Sequence, residues 1–160
     1  MTNAAPPAPV VVGTDGSPAS GSALRFALEE AQLRQTGLRA VCAYDFTSRY
    51  SALLWPDASG FHDLDTQLRD TTWEAVNTAL HEARKQVGGA AVEIEIRAEK
   101  GRPSQVLLDA SEDACLLVVG SRGSGAWGRL TLGSTSTEVV HNAQLPVVVV
   151  PGGQPAGRSE

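Results

Sequence analysis

The chain has little that would support metal or redox chemistry. Its thiol content is two cysteines, Cys42 and Cys115. No CxxC pair or Cys/His zinc spacing occurs, so each cysteine reads as a small hydrophobe in an apolar strand. Basic residues are in the minority: 13 Lys and Arg against 18 Asp and Glu give a formal charge of −5. Nucleic-acid and membrane surfaces call for a basic face, so neither is expected as a partner. Arg84-Lys85 is the only adjacent basic pair and reads as a solvated helix face. No apolar run approaches the roughly 18 residues needed to span a bilayer. The start, MTNAAPPAPV, lacks the basic and apolar segments of a secretion signal, and the expectation is a cytoplasmic protein. The histidines, His62, His81 and His141, are scattered, and neither GxSxG nor the Walker pattern GxxxxGK[ST] occurs.

What is present fits one globular domain. The chain has 160 residues, of which 42% are hydrophobic and 19% charged. That length buries roughly 70% of the unfolded surface without disulfides or metals. Val10 to Val12 start a strand that ends in Gly13-Thr14-Asp15-Gly16-Ser17. Ser17-Pro18 reads as an N-cap and first helical residue, with Leu24, Leu28 and Ala31 on the buried face and Gly37 as C-cap. Leu38 to Tyr44 is a second strand, apolar apart from Arg39. Residues 46–61 show no period and read as a loop, with Trp55 and Phe61 expected to pack back onto the domain. The spacing of Trp73, Val76, Leu80, Ala83 and Val87 predicts a helix from about Asp63 to Val87, stopped by Gly88-Gly89.

Val92, Ile94, Ile96 and Ala98 alternate with charged residues, as an edge strand with one wet face does. Gly101-Arg102-Pro103-Ser104 leads into a short helix carrying Val106, Leu107 and Ala110; Asp109, Glu112 and Asp113 read as its solvated end. Leu116 to Val119 has no polar residue and is expected to be buried on both faces. Thr135 and Glu138 have the spacing of a capping box, placing a helix start near 134–135. Val147 to Val150, between Pro146 and Pro151, form a fifth strand. The alternation βαβαβαβαβ predicts an α/β fold: a single-domain open parallel sheet with helices on both faces. Residues 9–151 make up that domain, with disordered tails expected at 1–8 and 152–160.

Between the fourth strand and the last helix lies GSRGSGAWGRLTLGSTS, residues 120–136. A strand that breaks into glycines and hydroxyls before a helix has the makings of an anion cradle. Glycine allows φ > 0 and close backbone approach, and the helix start offers free N–H groups and a positive dipole end. Within it, Gly123 to Gly128 formally match GxGxxG. A dinucleotide site also needs an acid about 20 residues further on, and none lies between Glu138 and Glu160. In open α/β sheets ligands bind at the carboxyl ends of strands where strand order reverses. The polar ends after Val12 and after Val119 are the two candidates, with Asp15 on one wall of the crevice and glycine backbone on the other.

The spacing Gly120-x2-Gly123-x9-Gly133-Ser134 resembles the G-x2-G-x9-G-[ST] nucleotide motif of the universal stress protein family, in its ATP-binding branch. Val12 to Ser17 is similar to that family's first strand end, Gly101-Arg102-Pro103 to its turn after the third strand, and Pro146 to Val150 to its closing strand. The resemblance covers residues 8–151. It implies a Rossmann-like, adenine-nucleotide-binding sheet of order 3-2-1-4-5 and a homodimer through Val147–Val150. It implies ATP, with Mg2+ held by the phosphates and not by protein side chains. By position, it places Asp15, with Gly13 and Thr14, at the adenosine part and the backbone of Ala43 at adenine. Gly120, Ser121, Gly123, Gly133, Ser134, Thr135 and Ser136 fall near ribose or phosphates; Arg122 and Arg129 are added here as charge-assisted donors. The implied function is an ATP-binding regulatory protein of the stress response without a dedicated catalytic activity. The alternatives are a nucleotide-free dimeric scaffold and a slow ATPase. Residues 124–132 would form a flap carrying Trp127.

Overall fold

The computed structural model describes residues 6–45, 59–121 and 132–152. Strands β1 (Val10–Gly13), β2 (Leu38–Tyr44), β3 (Ile94–Lys100), β4 (Leu116–Gly120) and β5 (Val147–Val150) form one parallel sheet of order β3-β2-β1-β4-β5. The helices are α1 (Gly21–Arg34), α2 (Ser59–Val87), α3 (Pro103–Ala110) and α4 (Ser134–Asn142). The fold class and strand order expected from the sequence are those observed. Trp55 and the side chain of Phe61 lie outside the described residues.

Period-two geometry sends alternate residues of each strand to opposite faces. Val10 and Val12 join Leu38, Ala40 and Cys42 beneath Leu24 and Leu28 of α1 and Val76 and Leu80 of α2. Val11, Val41, Leu117 and Val119 meet Val106 and Leu107 of α3 and Val139 of α4 on the other face. Central strands covered twice must be apolar throughout, and β1 and β4 are. Leu24, Leu28 and Leu117 are 2% exposed or less, and burial of each contributes roughly 1.5–3 kcal/mol.

Several local expectations need correction. Ser17 stands at the start of a single 3₁₀ turn, Pro18–Ser20, but its hydroxyl caps nothing; it donates to Asp15 instead. The end of α1 is not closed by Gly37. Gln35 takes the left-handed conformation at φ 53°, and the Thr36 N–H reaches back to the Ala31 carbonyl. Thr36 also donates through its hydroxyl to the Pro7 and Ala8 carbonyls, which fixes the chain reversal one residue before glycine is reached. The third strand begins at Ile94 and not at Val92. Val92 is buried, but its carbonyl accepts from Arg84 before the ladder starts. Trp73 is 39% exposed, because α2 there passes over the open β3 edge beside Ile96 and Arg97. Gly88 and Gly89 do end α2, both at positive φ.

Asp113 is solvent-exposed, as expected at this helix end, and it is also the ion-pair partner of a buried cation. The buried Arg39 donates to both its oxygens, at 2.6 and 3.2 Å, to Glu95 at 2.8 Å and to the Ala110 carbonyl at 2.8 Å. Arg39 and Glu95 are register partners on β2 and β3, so the ladder itself sets the first pair. Hydrogen bonding from Arg39 holds the Asp113 carboxyl below its usual range. Burial pushes Glu95 up, but bonds from Arg39 and Arg97 outweigh it and leave Glu95 low as well.

Candidate functional site

β1 and β4 are neighbours, and the chain leaves them towards opposite sides of the sheet, towards β2 and β5. Their carboxyl ends therefore part and leave a crevice. A cleft of about 480 Å³ opens there, within the size range of small-molecule sites. Gly13, Thr14, Asp15, Ala43, Gly120, Gly133, Ser134, Thr135 and Ser136 all line it. They come from four places in the chain and meet only because of the strand order. Arg122 and Gly123, like Arg129 and residues 124–131 of the expected flap, lie outside the described residues.

The first wall is the turn after β1. The Thr14 N–H continues the ladder to the Val41 carbonyl at 3.0 Å. Gly16 follows at φ +72°, and a Cβ there would stand 2.8 Å from the Ala75 Cβ of α2. Both the conformation and the space require glycine. The exposed Asp15 carboxylate accepts the Ser17 N–H at 2.9 Å and the Ser17 hydroxyl at 2.5 Å, both on Oδ1. Beside it, burial and then the Asp15 charge push the Cys42 thiol up to about 11, which keeps it neutral and unreactive.

The second wall is the end of β4 and the start of α4. The Ser121 N–H bonds the Val150 carbonyl at 2.8 Å, which prolongs the β4–β5 ladder. Ser121 does not line the cleft; its carbonyl accepts the Gly133 N–H at 2.9 Å and the Ser136 hydroxyl at 3.4 Å. The two ends of the glycine-rich segment are thereby pinned together, and α4 starts at the cleft. Its first N–H groups have no preceding turn to bond. Gly133, the residue before the helix, sits at φ −63°, so its backbone is not left-handed. The capping box does not form: no side chain caps α4. Glu138 accepts instead from Ser104 and Arg102 across the gap to α3, and these partners hold its carboxyl low.

Ser20, Pro103, Leu107 and Val119 also line the cleft and were not among the expected residues. Val119 and Leu107 read as core in the sequence, which they also are. A Cβ on Gly13 would lie 2.8 Å from Leu107 Cδ1, so the glycine leaves room for this apolar wall. Ser20 carries no signal in the sequence beyond a polar residue near a helix start. Elsewhere, a hollow of about 450 Å³ lies between Gln32, His81, Arg84 and residues 88–92. Gln32 and Arg84 there already donate to the carbonyls of Gly88, Ala90 and Val92. Among the described residues, no group of three or more His, Cys, Asp and Glu is placed to hold a metal ion, and no helix is long and apolar enough to cross a membrane.

The universal stress protein family model matches residues 8–151. The chain is 35% identical over 150 residues to a universal stress protein of Mycolicibacterium smegmatis, across 89% of this chain and 48% of that protein. It is 32% identical over 149 residues to one of Mycobacterium tuberculosis, across 88% of this chain and 46% of that protein. The chain thus spans about half the length of these relatives. Among solved structures, it is similar to UspA from Lactobacillus plantarum, with a TM-score of 0.70, 24% identity and coverage of 91% and 99% of the two chains. A universal stress protein solved in complex with cAMP aligns with a TM-score of 0.60 at 28% identity, covering 93% of this chain and all of the other (100%). That of Archaeoglobus fulgidus in complex with dAMP has the same fold, with a TM-score of 0.55 at 20% identity, covering 89% and 97% of the two chains. By fold, by the family match and by these relatives, the chain belongs to the universal stress protein family.

Proposed function

We propose that this chain binds an adenine nucleotide, ATP, in the cleft between the carboxyl ends of β1 and β4, and acts as a regulatory module of the stress response. One observation carries the reading: an acid, a strand end and a helix start with hydroxyls converge on one cleft. The start of α4, with Ser134 and Thr135, suits phosphate oxygens, which need N–H and O–H donors and a positive dipole end; the buried Ser136 hydroxyl is already donated to the Gly133 and Ser121 carbonyls and contributes at most its backbone. Asp15 repels phosphate and accepts from donors, so it takes the ribose hydroxyls or the base. The β2 end at Ala43 then faces adenine. The relative solved with cAMP, at 28% identity, supports an adenine nucleotide. Mg2+, where present, is held by the phosphates.

The same cleft argues for a module over a phosphotransferase. Phosphoryl transfer relies on positioned cations and an oriented nucleophile. The glycine-rich segment 120–136 carries no lysine, and its cations, Arg122 and Arg129, are assigned here to holding phosphate. Among the described lining residues the one charged side chain is Asp15, which is turned to the adenosine part and not to a nucleophile.

The test is direct. Denatured, freshly purified protein releases an adenine nucleotide detectable by mass spectrometry, and calorimetry on stripped protein gives ATP binding that Gly133→Val weakens at least about tenfold, by closing the approach of backbone to phosphate. A stripped wild-type protein silent towards millimolar ATP, AMP and cAMP overturns the reading. Bound ATP that persists for hours without ADP release supports the module; steady turnover supports an ATPase.

A further inference from the structure

Largely buried hydroxyls take most of their hydrogen bonds from one another or from the backbone. Thr14 and Ser20 are 8% and 7% exposed. Ser20 Oγ lies 2.8 Å from the Ser17 carbonyl and 2.8 Å from Thr14 Oγ1. A carbonyl only accepts, so the Ser20 proton points to Ser17. Thr14 therefore donates to Ser20, and Thr14 Oγ1 accepts the Gly16 N–H at 3.1 Å. The proton order is fixed along the chain Gly16 N–H, Thr14 hydroxyl, Ser20 hydroxyl, Ser17 carbonyl.

This chain of bonds grips the turn on both sides of Asp15. One end holds the peptide after Asp15; the other holds Ser17, whose N–H and hydroxyl both bond Asp15 Oδ1. Ser20 is the one member outside the turn, on the 3₁₀ turn that leads into α1. We propose that Ser20 is a positioning residue that acts through Thr14 and Ser17 to fix the Asp15 carboxylate before any ligand arrives. The proposal rests on the reading that Asp15 faces the nucleotide. Pre-set geometry saves the ordering cost that a loose turn incurs on binding.

Two measurements test it. The first is amide hydrogen exchange on the unliganded protein. Ser20→Ala is expected to speed exchange at Gly16 and Ser17 about fivefold, the loss of one neutral hydrogen bond, with Leu117 in the core unchanged. Thr14→Val has the same effect, and Thr14→Ser, which keeps the hydroxyl, restores wild-type exchange. The second is ATP calorimetry in two backgrounds. Ser20→Ala weakens binding about fivefold in the wild-type chain and adds nothing to Asp15→Ala. Equal losses in both backgrounds overturn the proposal, since Ser20 then acts on the ligand without Asp15. Unchanged exchange at Gly16 overturns it too. A wild-type protein that binds no ATP removes the reading of the cleft, while exchange still decides whether Ser20 holds the turn.

Discussion

Arg39 shows how one residue can be out of place by hydropathy and still be well held. Its side chain is 10% exposed, whereas Glu95 and Asp113 are 48% and 66% exposed. The desolvation cost falls on the guanidinium; the carboxylates stay largely in water. Removing a partner from a buried charge therefore does more harm than removing the charge. Asp113→Ala is expected to cost about 1–2 kcal/mol in urea unfolding, a figure reduced for the exposure of the carboxylate. Arg39→Met, which keeps the packing volume, is expected to stay within about 1 kcal/mol of wild type. The pH dependence has a definite sign. Asp113 and Glu95 both have folded values below their unfolded ones. Their contribution is present above roughly pH 4 and is lost as pH falls through the lower folded values. Arg39→Met should flatten that acid limb; an acid limb as steep as wild type would show that these carboxylates do not set it.

At the scale of elements, the end of α1 is where local preference and the observed chain disagree. Gln35 bears a side chain at φ 53°, a region that costs a non-glycine residue about 1 kcal/mol. Gln35→Gly should raise stability by about 0.5–1 kcal/mol in thermal or urea unfolding. No gain would mean that the Thr36 bonds to Pro7 and Ala8, and not the dihedral, set the cost of this turn. The same turn marks what the sequence could convey. Among the described residues, hydrophobic period and glycine punctuation located each strand and the four helices, because burial on one or two faces imposes those patterns directly; the start of α2 at Ser59, inside the stretch read as a loop to residue 61, was not located. Strand order came with the family resemblance and not with the periods. The caps expected from the Ser17 and Thr135 hydroxyls and from Gly37 do not form: the Ser17 hydroxyl bonds its near neighbour Asp15, and Glu138 turns to Ser104, 34 residues away in sequence and near it only in the fold. The cleft residues with unusual composition (Gly13, Asp15, Gly133 to Ser136) were legible. Leu107 and Val119 were not, because a wall of the cleft and a wall of the core carry the same side chains.

For the whole molecule, the two open edges of the sheet differ in kind. β5 is four valines, all half-buried, whereas β3 carries Glu95, Arg97 and Glu99 joined by their own ion pairs. A bare apolar edge strand invites pairing, and charges discourage it. In β5 the carbonyls of Pro146 and Val150 point inward to β4, accepting from Leu117 and Ser121. Alternation then turns the N–H and C=O groups of Val147 and Val149 outward. The proposed homodimer through this strand gives a specific expectation. Wild type should scatter light as a dimer at micromolar concentration, and Val149→Pro should shift it to monomer with the ladder to β4 kept. A wild-type monomer would sink the dimer, and a dimeric Val149→Pro would move the contact away from this edge. The charged β3 edge has a further consequence. If β5 accepts a neighbour while β3 refuses one, the sheet has a valence of one. Two copies joined at β5 would then present only the charged β3 rims, and growth by strand addition would end at the first step instead of running on into a filament.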